Sequence, residues 1–203
     1  TTSQKLYMAL VKRPVGFLGA LVALILLSPV FLATIVLLFF ANKGAGVFFT
    51  QDRPGKNEKI FRLIKFRSMT CEKDADGNLL PDEKRLTKYG KFLRSTSLDE
   101  LPELWNILKG DMSIVGPRPP LTYHPWPVDQ YTEEQFHMFD VRPGLTGWAQ
   151  VHGRKAVEWN KRIEMNVWYT RNYSLWLDIK ILFMTVFKVL TNADNVNDGA
   201  TLK

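Results

Sequence analysis

Hydrophobic positions along the chain fall into one long uninterrupted block followed by shorter runs at helical or strand spacing. Val15 to Phe40 holds 26 residues without a charge. As a straight helix it would run about 39 Å, more than the ~30 Å hydrocarbon core of a bilayer. Ser28-Pro29 lies at its middle, where the proline removes the bond to the carbonyl of Ile25 and kinks the helix. Cations flank both ends, Lys5, Lys12 and Arg13 before it and Lys43 after it. Two forms are open: a kinked single span, which the simple length argument favours, or a broken helix with both ends on one positively flanked face.

Beyond this block the periods are shorter. Residues 45–51 and 60–66 are β-branched and aromatic, separated by the turn residues Asp52-Arg53-Pro54-Gly55, so 45–67 is expected to form a hairpin. Its second strand interleaves Arg62, Lys65 and Arg67 with Phe61, Ile64 and Phe66. The polar stretch 71–80 is expected to be a surface loop, and 81–94 a helix with Leu86, Tyr89 and Leu93 on one side. Leu101, Leu104, Trp105 and Leu108 then recur at i, i+3, i+4 and i+7, with Gly110 as a stop. Thr132-x-x-Gln135 has the form of a helix cap for a helix running to about 140. Residues 157–172 are helical in pattern. The run from Tyr173 to Leu190 is apolar but broken by Asp178, Lys180, Thr185 and Lys188, which suits an interfacial helix or a buried core helix equally. Residues 192–203 form a small polar tail.

Composition narrows the chemistry. The 203 residues carry a net charge of +7, so phosphorylated or polyanionic partners are favoured. One cysteine, Cys71, excludes an internal disulfide, and the three scattered histidines lack zinc-ligand spacing. The sequence opens on Thr rather than Met, so its first few residues are expected to be foreign to the natural protein.

The densest chemistry lies between Ser97 and Pro119. Asp99 and Glu100 are either first-turn acids of a capping box begun by Ser97, or turn residues ahead of a helix that starts near Pro102. The second form leaves both carboxylates reachable by a substrate. Arg94 stands five residues earlier, and Arg118 is locked between Pro117 and Pro119. The loop Arg142-Pro143-Gly144-Leu145-Thr146-Gly147, closing at Arg154, lacks a Walker or Rossmann fingerprint and reads as a structural turn.

Taken in order, several pieces resemble the bacterial sugar transferase family, the monotopic phosphoglycosyl transferases. They are the block broken at Ser28-Pro29, Phe49-Thr50-Gln51-Asp52-Arg53-Pro54-Gly55, and Lys65-Phe66-Arg67-Ser68-Met69. Ser97-Leu98-Asp99-Glu100-Leu101-Pro102, Leu108-Lys109-Gly110-Asp111-Met112-Ser113, Val115-Gly116-Pro117-Arg118-Pro119 and Arg142 through Val151 follow. The likeness is greatest to the small transferases of bacterial N-linked glycosylation that take UDP-N,N'-diacetylbacillosamine, and the chain length matches that minimal catalytic form.

The resemblance implies transfer of a phosphosugar from a UDP-sugar to undecaprenyl phosphate, with release of UMP and a covalent intermediate on Asp99. It implies Mg²⁺ held at Asp99 and Glu100, with Glu100 also assisting the second step. Arg118, Lys65 and Arg94 are implied as phosphate binders, and Arg142 and Arg154 as candidates for nucleotide contact. It further implies a mixed α+β, mostly helical fold in three parts. Residues 1–43 would form a re-entrant helix turning at Ser28 and Pro29 in the cytoplasmic leaflet of the bacterial inner membrane. Residues 44–191 would form a compact cytoplasmic catalytic domain with a small hairpin and interfacial amphipathic helices among membrane lipids, and 192–203 a loose tail.

Two rivals differ in class. A membrane-anchored basic binding protein for anionic lipid or nucleic acid would show a continuous cationic stripe, but here cations and acids interleave and no nucleic-acid signature occurs, so no nucleic acid is expected. A glycosyltransferase releasing UDP would call for an Asp-x-Asp metal motif, and Asp74 and Asp76 sit in the expected surface loop.

Overall fold

The computed structural model describes residues 2–153 and 157–191; Arg154 and the 192–203 tail lie outside the described residues. The chain opens with α1 (Thr2–Leu6), a π-helical stretch Tyr7–Lys12 and α2 (Arg13–Leu26), which run on as one 25-residue helix. Pro14 would clash with the carbonyl four residues back, and the backbone widens to π form just ahead of it. The helix stops at Leu27 (φ −90°, ψ 3°), and α3 (Ser28–Ala41) starts with Pro29 in its first turn, where no backbone N–H is needed. Ser28 Oγ donates to the Ile25 carbonyl at 2.7 Å, so the break satisfies one of the groups it frees.

Both ends of the apolar block are fastened to the same globular unit. At the start of α2, Arg13 donates to the Ile107 carbonyl at 3.1 Å. Just past α3, Asn42 donates to the carbonyls of Gly46 and Arg67, both at 2.9 Å. Between these points Ala20 packs with Phe61, Leu63, Leu104, Ile107 and Met112, while Leu38 packs with Phe66 and Leu93. Ala23, Leu24, Phe31 and Ile35 are half-buried against these clusters, whereas many other apolar side chains of α2 and α3, among them Leu18, Val22, Ile25, Leu26, Val36, Phe39 and Phe40, are exposed.

The expected hairpin forms as β1 (Phe48–Pro54) and β2 (Ile60–Phe66), antiparallel with Phe49 opposite Lys65. Residues 81–94 are not one helix. They divide into α4 (Asp82–Arg85) and α5 (Lys88–Thr96), because Leu86 is extended and bridges Met69, and the Thr87 side chain caps α5 by accepting from Gly90 N. Leu93 faces the core, but Tyr89 is exposed. After a 3₁₀ turn over Leu98–Glu100 comes α6 (Glu103–Lys109), ended by Gly110 at φ 92°. Its buried face differs from the expected one. Leu104 and Ile107 are buried and Trp105 is exposed, because the buried Asn106 turns inward to accept from Ile64 N and donate to the Arg62 carbonyl.

β3 (Ser113–Val115) pairs in parallel with β4 (Gly144–Thr146). Between them Thr132 and Gln135 form the capping box of α7 (Glu133–Phe136). Then come α8 (Trp148–Val151), α9 (Trp159–Asn172) and α10 (Leu175–Thr191). α10 buries Asp178 and Ile181 and exposes Trp176, Phe183, Phe187 and Leu190, so it is amphipathic rather than a core helix. Its buried Asp178 meets Lys12 Nζ at 2.7 Å, and also accepts from Tyr7 (2.7 Å) and Tyr169 (2.6 Å). A buried ion pair thus ties the N-terminal helix to α9 and α10.

Candidate active site

Asp99 and Glu100 lie in the turn, not in a capped helix. Ser97 adopts a left-handed conformation (φ 57°) and its side chain caps nothing, so the chain turns sharply from α5 into Leu98–Glu100 before Pro102 initiates α6. Leu98 and Leu101, which bracket the acids, pack into the cluster of Leu38, Phe66 and Leu93. The acidic turn is therefore seated on α3 itself.

Glu100 is gripped by cations from two directions. Lys65, from β2, places Nζ 2.7 Å from Glu100 Oε1, and Arg118 donates to the same oxygen at 3.0 Å. Burial alone would push the Glu100 carboxyl up, but Lys65 and then Arg118 outweigh it and hold it far below the usual carboxylate range. Burial likewise disfavours the Lys65 ammonium, yet Glu100 and Glu103 raise it above its ordinary value. Arg118 is raised, first by Glu100. Its direction is set by the backbone, since Pro117 O accepts from Gly144 N and Gly116 N donates to Thr146 O, both at 2.9 Å. Gly144 is needed for that approach: a Cβ there would sit 2.1 Å from Gly116 N. The glycine loop is structural in this sense.

Asp99 is different in kind. Among the described residues its carboxylate makes no hydrogen bond or ion pair, although the charges of Lys65, Arg94 and Arg118 reach it. Burial first, and then the neighbouring Glu100 charge, push it up. The two adjacent acids are thus driven in opposite directions, one committed and one open.

Arg94 is held beside the pair. A Cβ on Gly90 would meet Ser68 O at 1.8 Å, so only glycine lets α5 lie this close, and Arg94 Nε donates to Ser68 Oγ at 2.8 Å. Arg142 is elsewhere: it donates to the Gly110 carbonyl at 2.7 Å, at the far end of α6 from Asp99 and Glu100.

Two participants went unmarked in the sequence. Glu103, buried in the first turn of α6, contacts Lys65 at 3.0 Å and is pushed up to about 7 by burial. Arg53 reaches in from β1, donating to the Pro119 carbonyl at 2.9 Å. Glu103 reads as an ordinary helix-start acid and Arg53 as a turn cation, so neither carried a local signal.

Among the described residues no cluster of three or more His, Cys, Asp or Glu forms a closed metal cage. The donor set suits a cation held otherwise. Mg²⁺ is commonly bound through one or two carboxylates together with substrate phosphate oxygens, and Asp99 offers an uncommitted carboxylate beside Glu100.

Comparison with known proteins gives a consistent result. The family described as bacterial sugar transferase matches residues 7–192. The uncharacterized sugar transferase EpsL of Bacillus subtilis (strain 168) is 49% identical over 183 residues, covering 90% of this chain and 89% of that protein. The UDP-N-acetylgalactosamine-undecaprenyl-phosphate N-acetylgalactosaminephosphotransferase of Aeromonas hydrophila is 43% identical over 90% of this chain and 44% of its own length. The UDP-glucose:undecaprenyl-phosphate glucose-1-phosphate transferase of Escherichia coli (strain K12) is 42% identical over 90% of this chain and 41% of its own length. The chain thus spans less than half of the two relatives whose names state a substrate.

Proposed function

The chain belongs to the bacterial sugar transferase family, and on that premise we propose that it is a phosphotransferase moving a phosphosugar from a UDP-sugar to undecaprenyl phosphate, with release of UMP. The observation that carries this reading is the open Asp99 carboxylate beside a Glu100 locked by Lys65 and Arg118, in a turn seated on the apolar helix α3.

In the first step Asp99 attacks the β-phosphorus, the bond to the bridging oxygen breaks, and UMP leaves with that oxygen and its electron pair. Arg118 and Lys65, both held on Glu100, would bind the phosphoryl oxygens, with Arg94 as a third cation near Asp99. In the second step an oxygen of undecaprenyl phosphate attacks the same phosphorus and frees the Asp99 carboxylate, leaving sugar on a lipid diphosphate. Glu100 orients the cations throughout and assists this acceptor step. Mg²⁺ at Asp99 and Glu100 would neutralise the diphosphate charge.

The membrane arrangement supports acceptance of a lipid. The fastening of Arg13 and Asn42 to one globular unit favours a re-entrant helix turning at Ser28-Pro29 over a span. The exposed apolar faces of α2, α3 and α10 suit burial in one leaflet, with the catalytic domain on the cytoplasmic face of the inner membrane. Within the UDP-sugars, the motif resemblance to the small transferases of N-linked glycosylation makes UDP-N,N'-diacetylbacillosamine the donor we put first, which would make this the first membrane step of N-linked glycan assembly. The named relatives act on N-acetylgalactosamine and glucose donors.

The test is nucleotide release from a panel of these UDP-sugars with undecaprenyl phosphate and Mg²⁺. UMP from one donor is the expected result. Release of UDP would mean sugar transfer without phosphate and would remove the role of Asp99.

A further inference from the structure

Three guanidiniums converge from separate elements beside the acidic turn: Arg53 of β1, Arg118 of the proline-locked segment, and Arg162 of α9. Arg53 is pinned against the residue after Arg118, with one terminal nitrogen on the Pro119 carbonyl and the other on Gln51 Oε1 at 2.7 Å. Arg162 lies over the Trp159 ring at 4.3 Å. The Nε atoms of both Arg53 and Arg162 are buried without a hydrogen-bond partner. Burial, and then the charge of Arg118, pull Arg53 down to about 10 and lower Arg162 as well. The carboxylates nearby, half-buried Glu100 and buried Glu103, are already shared with Lys65. Buried donors left unfilled among mutually repelling cations call for an anion.

Ring surfaces border this cluster. His124 meets Trp159 edge-on with centroids 4.8 Å apart, and Tyr123 lies near Arg53. In an in-line displacement the leaving group departs on the side opposite the nucleophile. Asp99 attacks from the acidic turn, so the nucleotide must leave away from it.

We propose that Arg53 and Arg162, together with Arg118, form a second phosphate subsite that holds the α-phosphate of the donor and then the departing UMP, with the nucleobase toward Trp159. This rests on the phosphosugar-transfer reading above. The chemistry would equally suit a lipid phosphate. The aromatic border favours a nucleotide, and the exposed apolar faces of α2, α3 and α10 offer the lipid a separate approach.

The experiment is calorimetric UMP binding to the full chain in detergent, alongside KM values for donor and acceptor. Arg162→Gln is expected to raise the UMP Kd about tenfold or more, the loss of one charge-assisted contact. Arg162→Lys should recover part of that loss, and KM for undecaprenyl phosphate should stay unchanged. Arg53→Lys, which keeps the charge but loses the planar fork, should weaken UMP in the same direction. Wild-type UMP affinity in Arg162→Gln and Arg53→Lys proteins that melt normally would overturn the proposal. A shift confined to the KM of undecaprenyl phosphate would overturn it in favour of a lipid subsite. A wild-type protein that binds no UMP would overturn the underlying reaction instead.

Discussion

Lys65 Nζ and Glu100 Oε1 meet at 2.7 Å, and the same ammonium reaches Glu103 at 3.0 Å, so one cation from β2 holds two carboxylates of the acidic turn and α6. Removing it leaves the buried Glu103 without its cation and Glu100 with Arg118 alone. Lys65→Met is expected to cost about 3–5 kcal/mol of stability, read by denaturant unfolding in detergent. Lys65→Arg should recover most of that stability, since it restores the charge.

Asp99 takes part in no hydrogen bond or ion pair among the described residues, so the fold does not depend on its charge. Asp99→Asn is expected to leave the melting temperature unchanged or slightly raised, because an acid held above its ordinary range by burial is relieved. UMP release should fall by a factor on the order of 10⁴ or more, as for other nucleophile deletions. Loss of folding with this substitution would return Asp99 to a structural role.

The pH dependence of stability should carry the mark of Glu103. Its folded value of about 7 lies above its ordinary 4.5, so between these values the folded protein holds the proton more tightly than the unfolded chain. Stability therefore falls as pH rises through that window, by an amount on the order of 3 kcal/mol. Glu103→Gln should raise the melting temperature at pH 8 and change little at pH 4. Glu100 acts in the opposite sense at lower pH, its contribution being lost as pH falls below 4.5.

Lys12 and Asp178 form a buried pair whose acid also accepts from Tyr7 and Tyr169. Asp178→Ala should release the N-terminal helix from α9 and α10 at a cost of about 3–5 kcal/mol. Limited proteolysis in detergent would report it as faster cleavage around residues 1–12, ahead of any cut in the β1–β2 hairpin.

The re-entrant arrangement predicts that a cysteine placed at Lys5 stays closed to a membrane-impermeant thiol reagent added outside intact cells. Labelling from outside would establish a span. Pro29→Leu is expected to let α2 and α3 join into one straight helix and to shift some molecules toward outside labelling.

What could be read from the sequence is largely what local chemistry encodes. The stop at Gly110, the start at Pro102 and the capping box of Thr132 and Gln135 depend on neighbours within a few positions, and each stands where expected. The hairpin forms as expected, but its turn is displaced: Asp52, Arg53 and Pro54 extend β1 opposite Arg62, Phe61 and Ile60, and the chain reverses over 55–59. The break at Leu86 was hidden because Leu86 satisfies a helical pattern and is drawn out by Met69, 17 positions earlier. Hydrophobic spacing points Trp105 inward and gives no weight to Asn106, which wins the buried position through hydrogen bonds to β2. The parallel pairing of β3 and β4 joins two three-residue strands about 30 positions apart, too short for any periodicity. Of the site residues, Lys65 and Arg118 stand together on Glu100, whereas Arg142 is carried to the other end of α6 and Arg53 is brought in by the hairpin.

The Lys12–Asp178 pair also sets an order in time. Its partners are 166 positions apart, so at ribosomal rates of about 5–20 residues per second Lys12 waits roughly ten to thirty seconds for its counter-charge. Throughout that interval the apolar helix carries an uncompensated cation near its start, and its attachment to the rest of the chain is provisional. Only when α10 emerges does the helix bearing Lys12 acquire this anchor, so the contact joins two segments made well apart in time.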